Sequence, residues 1–199
     1  YKNTKLITYQ NVPFQLVKPY LEHPPLFGLV AGSYALANGV NNMFEVNLEK
    51  IRGLALLLGV LSIFMIYIFA AQVYGYKVGL LSAFIYASVP TVAVGSRLVQ
   101  NENFFIPFFL LALFLIAKFI KTKNPMYRNS AAVICGLLSL SKVPWIAGAL
   151  AVVLIFFYLK KYKDSFKFLS IVIPIFLLFF IYGAYYDWNL FIGLWQLQL

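Results

Sequence analysis

Four places in the sequence hold side chains that could bind or move charge. Glu22-His23-Pro24-Pro25 opens a weakly apolar stretch, and Arg97 stands five residues before Glu102 in a short polar junction. Lys142 interrupts one apolar block, and Arg52 stands at the edge of another. Ionisable groups beside hydrocarbon are costly and usually have a reason to be there. Arginine grips a phosphate through parallel hydrogen bonds, while lysine meets it as a point charge. A carboxylate in the same place can take a proton or hold a cation. Each position also has a plain structural reading: proline and glutamate suit the first turn of a helix, and Arg or Lys side chains snorkel to headgroups. What strengthens the chemical reading is that all four can lie on one side of a membrane. Together they would form a polar, mostly cationic pocket suited to a phosphate-bearing amphiphile. His23 is the only histidine and Cys135 the only cysteine, so these residues supply neither a multi-histidine metal centre nor an intrachain disulfide. No nucleotide-binding glycine loop, Ser/His/Asp set or Cys/His metal spacing is present.

The elements that would position these groups are membrane helices. Of 199 residues, 62% are apolar and 11% charged, against about half and a quarter in a soluble domain. The apolar residues come in blocks, at residues 53–73, 78–95, 103–120 and 168–186, each long enough to cross a hydrocarbon core of about 30 Å. Residues 131–159 form a further block broken at Lys142-Val143-Pro144. A straight helix of that length would measure only about 43 Å, short for two crossings. Two half-helices meeting at the proline are therefore expected, buried in protein or lining a wet cavity. Residues 24–40 are expected to lie along the outer interface or dip into it.

The net charge is +10. The basic residues fall in short clusters between apolar blocks: Lys118, Lys121, Lys123 and Arg128; Lys160, Lys161, Lys163 and Lys167; and Lys77. No basic face is interleaved with base-stacking aromatics, so nucleic acid is not expected as a partner. The positive-inside rule assigns these clusters to the cytoplasmic side, which leaves the four candidate positions outside. The first residue is not Met and the last residues are still apolar. Residues 1–199 thus read as a single transmembrane region from within a longer chain.

In this order the pieces resemble the membrane glycosyltransferases of the C superfamily (GT-C), in the branch of the dolichyl-phosphate-mannose protein mannosyltransferases and lipid A aminoarabinose transferases. Tyr20-Leu21-Glu22-His23-Pro24-Pro25-Leu26 is similar to the family's HPPL box. Ile51-Arg52-Gly53-Leu54, a span, and Val73-Tyr74-Gly75-Tyr76-Lys77 resemble its arginine, span and basic-loop unit. Ser96-Arg97-Leu98 with Glu102 resembles the second acidic motif, where aspartate is commoner. Gly136-Leu137-Leu138-Ser139-Leu140-Ser141-Lys142 resembles the G-L-x-x-x-T-K box. The resemblance covers roughly residues 16–159.

The resemblance implies an all-α, polytopic transmembrane helix bundle, a fragment of a GT-C-like fold with an interfacial helix and a broken helix pair. It implies a polyprenyl- or dolichyl-phosphate sugar as donor, and a protein, lipid or glycan acceptor on the outer or luminal face. The membrane would be the plasma membrane in a prokaryote and the endoplasmic reticulum in a eukaryote. The main base, in the family's first acidic motif, is expected before Tyr1. Glu102 would be a supporting carboxylate, and His23, Arg97, Lys142 and Arg52 would bind substrate. No cofactor is required, though a divalent metal at Glu22 is compatible with the family. A transporter is the rival reading; it expects repeated halves, which the sequence lacks, and charges at the midplane. A non-catalytic assembly subunit is another; it expects Arg97, Glu102 and Lys142 to be replaceable without loss.

Overall fold

The computed structural model describes residues 3–9, 12–18, 21, 23–42, 45–95 and 97–198. Its body is the expected helical bundle, preceded by a hairpin that the all-helical reading did not include. Strand β1 (Asn3–Tyr9) runs antiparallel to β2 (Val12–Lys18), from Asn3 opposite Lys18 to Tyr9 opposite Val12. These short runs hold β-branched and aromatic residues and no long apolar block, which suits a strand better than a membrane helix.

The helix limits follow from local chemistry. Helix α1 (Leu26–Ala37) begins straight after Pro24-Pro25. At about 18 Å it is too short to cross a bilayer alone. Helix α2 (Leu48–Tyr74) is capped by Asn47, whose side chain accepts from the Lys50 amide at 3.0 Å. It stops at Gly75, whose φ of 95° and ψ of 162° only glycine adopts comfortably. Helix α3 (Tyr76–Ser88) then packs back on α2. The approach is close because Gly79 has no side chain: a Cβ there would lie 2.8 Å from the Tyr67 carbonyl. The expected span 78–95 is not one helix. Pro90 forces Val89 out of helical geometry, so α3 ends and the short α4 (Pro90–Gly95) follows.

Helix α5 (Asn101–Thr122) crosses the bundle without interruption. Helix α6 (Pro125–Ser139) starts with Pro125 in its first turn and the Asn124 side chain accepting from the Met126 amide at 3.0 Å. The break expected at Lys142–Pro144 is a single 3-10 turn, Val143–Trp145, before α7 (Ile146–Tyr158). Helices α6 and α7 are about 22 and 20 Å long, and each falls short of a full crossing. Helix α7 ends with Lys160 in the left-handed position usually taken by glycine (φ 56°), while the Lys161 amide reaches back to the Phe156 carbonyl at 2.8 Å. Helix α8 (Tyr162–Gln198) bends at Asp187, which is extended (φ −169°) and whose carboxylate accepts from the Leu190 amide at 3.0 Å. Asp187 thus restarts the helix as an N-cap, beside the expected end of the 168–186 span.

Two of the buried clusters organise the bundle. Ala112, Ile116, Phe119, Cys135, Val152, Phe156, Phe168 and Val172 join α5, α6, α7 and α8, with edge-to-face contacts of 6.0 Å linking Phe119, Phe156 and Phe168. Leu54, Leu58, Phe104 and Leu138 join α2, α5 and α6 beneath Phe27 and Tyr34 of α1. Much of the apolar surface faces outward, including Val60, Phe84 and Leu154 at about two-thirds exposure (68%, 69% and 68%). Such surface suits contact with lipid. Among the described residues, three helices are long and apolar enough to cross a membrane, at residues 49–74, 101–122 and 162–196. The protein is an integral membrane protein.

Candidate functional site

The site is built where the end of α6 meets the start of α1. A helix end leaves its last carbonyls open, and a helix start leaves its first amides open. Here each supplies the other: the Leu26 amide, the first N–H after two prolines, donates to the Leu140 carbonyl at 3.0 Å. The buried Ser139 hydroxyl donates to the Gly136 carbonyl at 2.6 Å, and that of Ser141 to the Leu138 carbonyl at 2.7 Å. These bonds fix the residues leading to Lys142 and set them beside His23-Pro24-Pro25.

Helix α5 grips the same turn from the other side. The Asn101 amide donates to the Ser141 carbonyl at 2.6 Å, and its oxygen accepts from the Trp145 indole N–H at 3.0 Å. Trp145 stacks on Phe105 with centroids 4.3 Å apart. The Lys142 ammonium lies 5.5 Å from the Trp145 ring and 2.7 Å from Glu102 Oε1. A cation over the indole face gains from the ring quadrupole, so Lys142 is aimed by two neighbours at once. Lys142 and Glu102 keep 37% and 44% of their side-chain surface, so an incoming ligand can reach both.

Beside this pair opens a cavity of about 460 Å³. Its polar lining comes from His23, Asn101, Ser141 and Lys142, and its apolar lining includes Pro25 and Phe27. A charged rim over apolar walls fits an amphiphile with an anionic head.

Of the residues expected from sequence, His23 and Lys142 line this cavity and Glu102 joins it through Lys142. Arg97 is exposed and lines a different, smaller cavity of about 220 Å³, with Tyr86, Leu56 and Val60. Arg52 is exposed near the start of α2, next to Gly53, over which the Tyr34 hydroxyl packs. Glu22 lies outside the described residues. Among the described residues no three His, Cys, Asp or Glu side chains gather in a way that could hold a metal. Asn101 and Trp145 were not singled out from sequence. The adjacent polar residues Gln100 and Asn101 were a weak signal, read only as part of a junction.

Asn101 yields a direct test. Asn101→Ala removes both clasp bonds and leaves a partly buried carbonyl and indole unpaired, at about 1–3 kcal/mol. With the lipid-phosphate sugar donor that the sequence resemblance implies, kcat/KM is expected to fall about tenfold or more in Asn101→Ala, and less in Trp145→Phe, which loses only the indole bond. Steady-state kinetics of the two variants check this; equal, unaltered values would show that the clasp does not position Lys142.

The family model that matches this chain is described as dolichyl-phosphate-mannose-protein mannosyltransferase, and it covers residues 22–184. No curated protein and no solved structure matches the chain.

Proposed function

Because the chain belongs to the dolichyl-phosphate-mannose-protein mannosyltransferase family, we propose that it serves a membrane glycosyltransferase that takes a sugar from a polyprenyl- or dolichyl-phosphate donor. The sugar passes to a protein, lipid or glycan hydroxyl on the outer or luminal face. The observation that carries this reading is the accessible Lys142–Glu102 pair opening on an otherwise largely apolar cavity beside the His23-Pro24-Pro25 turn.

In the proposed step the donor phosphate sits against the Lys142 ammonium, with the first isoprene units along Pro25 and Phe27. The acceptor oxygen attacks the sugar carbon from the face opposite the phosphate. The bond from that carbon to the phosphate oxygen breaks, and the sugar is inverted. Charge grows on the leaving phosphate, and a fixed ammonium stabilises it more in the transition state than in the ground state. Glu102 holds Lys142 in place, and His23 faces the sugar or phosphate. The acceptor proton goes to a carboxylate of the family's first acidic motif. Arg97 and Arg52 act from separate positions at the same end, holding an anionic headgroup or acceptor near the cavity.

The experiment is a donor assay on the full-length protein in lipid, following release of polyprenyl phosphate from a labelled polyprenyl-phosphate sugar. Release that needs Lys142 and Glu102 is the expected result. No release from any of several donors, with acceptors supplied and the protein folded, would favour a transporter or an assembly subunit instead.

A further inference from the structure

The end of α5 remote from Glu102 carries a concentration of charge that the transfer step does not use. Residues 118–128 and 160–167 hold eight Lys or Arg and one acid, Asp164. That acid is already engaged: Arg128, whose side chain is 8% exposed, donates to Asp164 Oδ1 at 2.8 Å. Lys161 is left differently. Its ammonium nitrogen is buried with no hydrogen-bond acceptor, 5.4 Å from the centroid of Phe119. One helical turn on, the Ser165 hydroxyl is also buried and without a partner. The Lys123 ammonium is the largest influence on Lys161. Together with burial it holds the Lys161 ammonium below the ordinary lysine range, against a smaller opposite pull from Asp164.

Two ammonium groups held together with no free acid between them are unfavourable, and so is a buried ammonium without an acceptor. An anion accepting from both Lys161 and Lys123 would answer the crowded charge and the missing acceptor together. Lys123 is exposed, so its side chain can turn outward and admit that anion.

The surroundings say which anion. Next to Lys123, a groove of about 640 Å³ runs along α6 past Asn124, Met126, Asn129, Val133 and Ile134. Met126 and Val133 are exposed apolar side chains on it. Helix α5 is about 33 Å long, which sets this end at headgroup level in the leaflet opposite the candidate site. We propose that this end of the bundle binds one anionic phospholipid, its phosphate between Lys123 and Lys161 and an acyl chain along the α6 groove. A soluble phosphate would have no use for the groove.

The test reads lipid binding and uses no transfer assay, so its outcome is separate from that of the proposed activity. The full-length protein is placed in nanodiscs of phosphatidylcholine with a minor fraction of phosphatidylglycerol, and phosphatidylglycerol retained on the protein is measured by native mass spectrometry. Wild type should retain one molecule of it. Lys123→Ala and Lys161→Met should each weaken retention roughly fivefold, and Lys163→Ala, an exposed lysine of the same cluster, by clearly less. Lys123→Ala alters only an exposed side chain, so it stays informative if Lys161→Met fails to fold. Equal losses in all three variants would mean diffuse attraction of the surface and overturn the site. Displacement of phosphatidylglycerol by inorganic phosphate at comparable concentration would overturn the lipid as its ligand.

Discussion

Replacing Lys142 by alanine in the full-length protein is expected to lower turnover of a polyprenyl-phosphate sugar by about a hundredfold, the cost of removing one preorganised charge-stabilising group. The loss should appear in kcat, because the ammonium matters most when the phosphate is leaving. Stability should hardly change. The Lys142–Glu102 pair is more than a third exposed on both sides, and exposed ion pairs contribute about 1 kcal/mol or less. A thermal midpoint near wild type beside a collapsed kcat would therefore separate chemistry from folding. Glu102→Gln should cost less, about tenfold, since an amide oxygen still accepts from Lys142 though without its charge. The double variant should be no worse than Lys142→Ala alone, because Glu102 is proposed to act through Lys142. If the two losses multiply instead, Glu102 contacts substrate independently. Wild-type turnover in Lys142→Ala would remove the site altogether.

How much of this was legible beforehand depended on which physical rule each feature obeys. Lipid demands about twenty apolar residues per crossing, so the blocks that became α2, α5 and α8 stood out. The broken pair was legible for two reasons: its block was too short for two crossings, and it held Pro144 beside a lysine. The break at Val89 obeyed the same proline rule, yet continuous apolarity hid it. Asp187 stands just past the apolar block 168–186, and a lone acid there does not by itself mark a helix restart. The hairpin gave no signal that could compete with the blocks.

The site followed a different limit. Position along a membrane helix fixes which end of the bundle a residue occupies, and His23, Arg52, Arg97, Glu102 and Lys142 could be grouped on that basis. Rotation about the helix axis decides which cavity a side chain reaches, and that depends on packing. Apolar residues surround membrane helices on both core and lipid sides, so the periodicity that would reveal rotation is weak. Arg97 consequently lines one cavity and Lys142 another. Asn101 reaches partners 40 and 44 residues away, a pairing that a single sequence does not expose.

The glycine of the box that ends in Lys142 has a packing role, and this supports the second large effect. A Cβ at Gly136 would lie 2.9 Å from Ile175 Cβ and 3.0 Å from its Cγ2 and Cδ1. Helices α6 and α8 therefore touch here only because position 136 has no side chain, in the manner of small residues at membrane helix interfaces. Gly136→Leu is expected to destabilise the protein by about 3 kcal/mol, at the upper end for overpacking. Gly136→Ala should cost less, read from denaturation in detergent. Activity should fall with it, because the same turn of α6 leads through Ser139 and Ser141 to Lys142. Ile175→Ala should recover part of the loss in Gly136→Ala. It removes Cγ2 and Cδ1 but leaves the Cβ that is closest. Gly32→Leu in α1, where an added Cβ meets nothing within 4 Å, should cost little and controls for the substitution itself. If Gly136→Leu were as stable as Gly32→Leu, α6 and α8 would not meet at this point, and the support for the Lys142 turn would have to come from α5 and α1 alone.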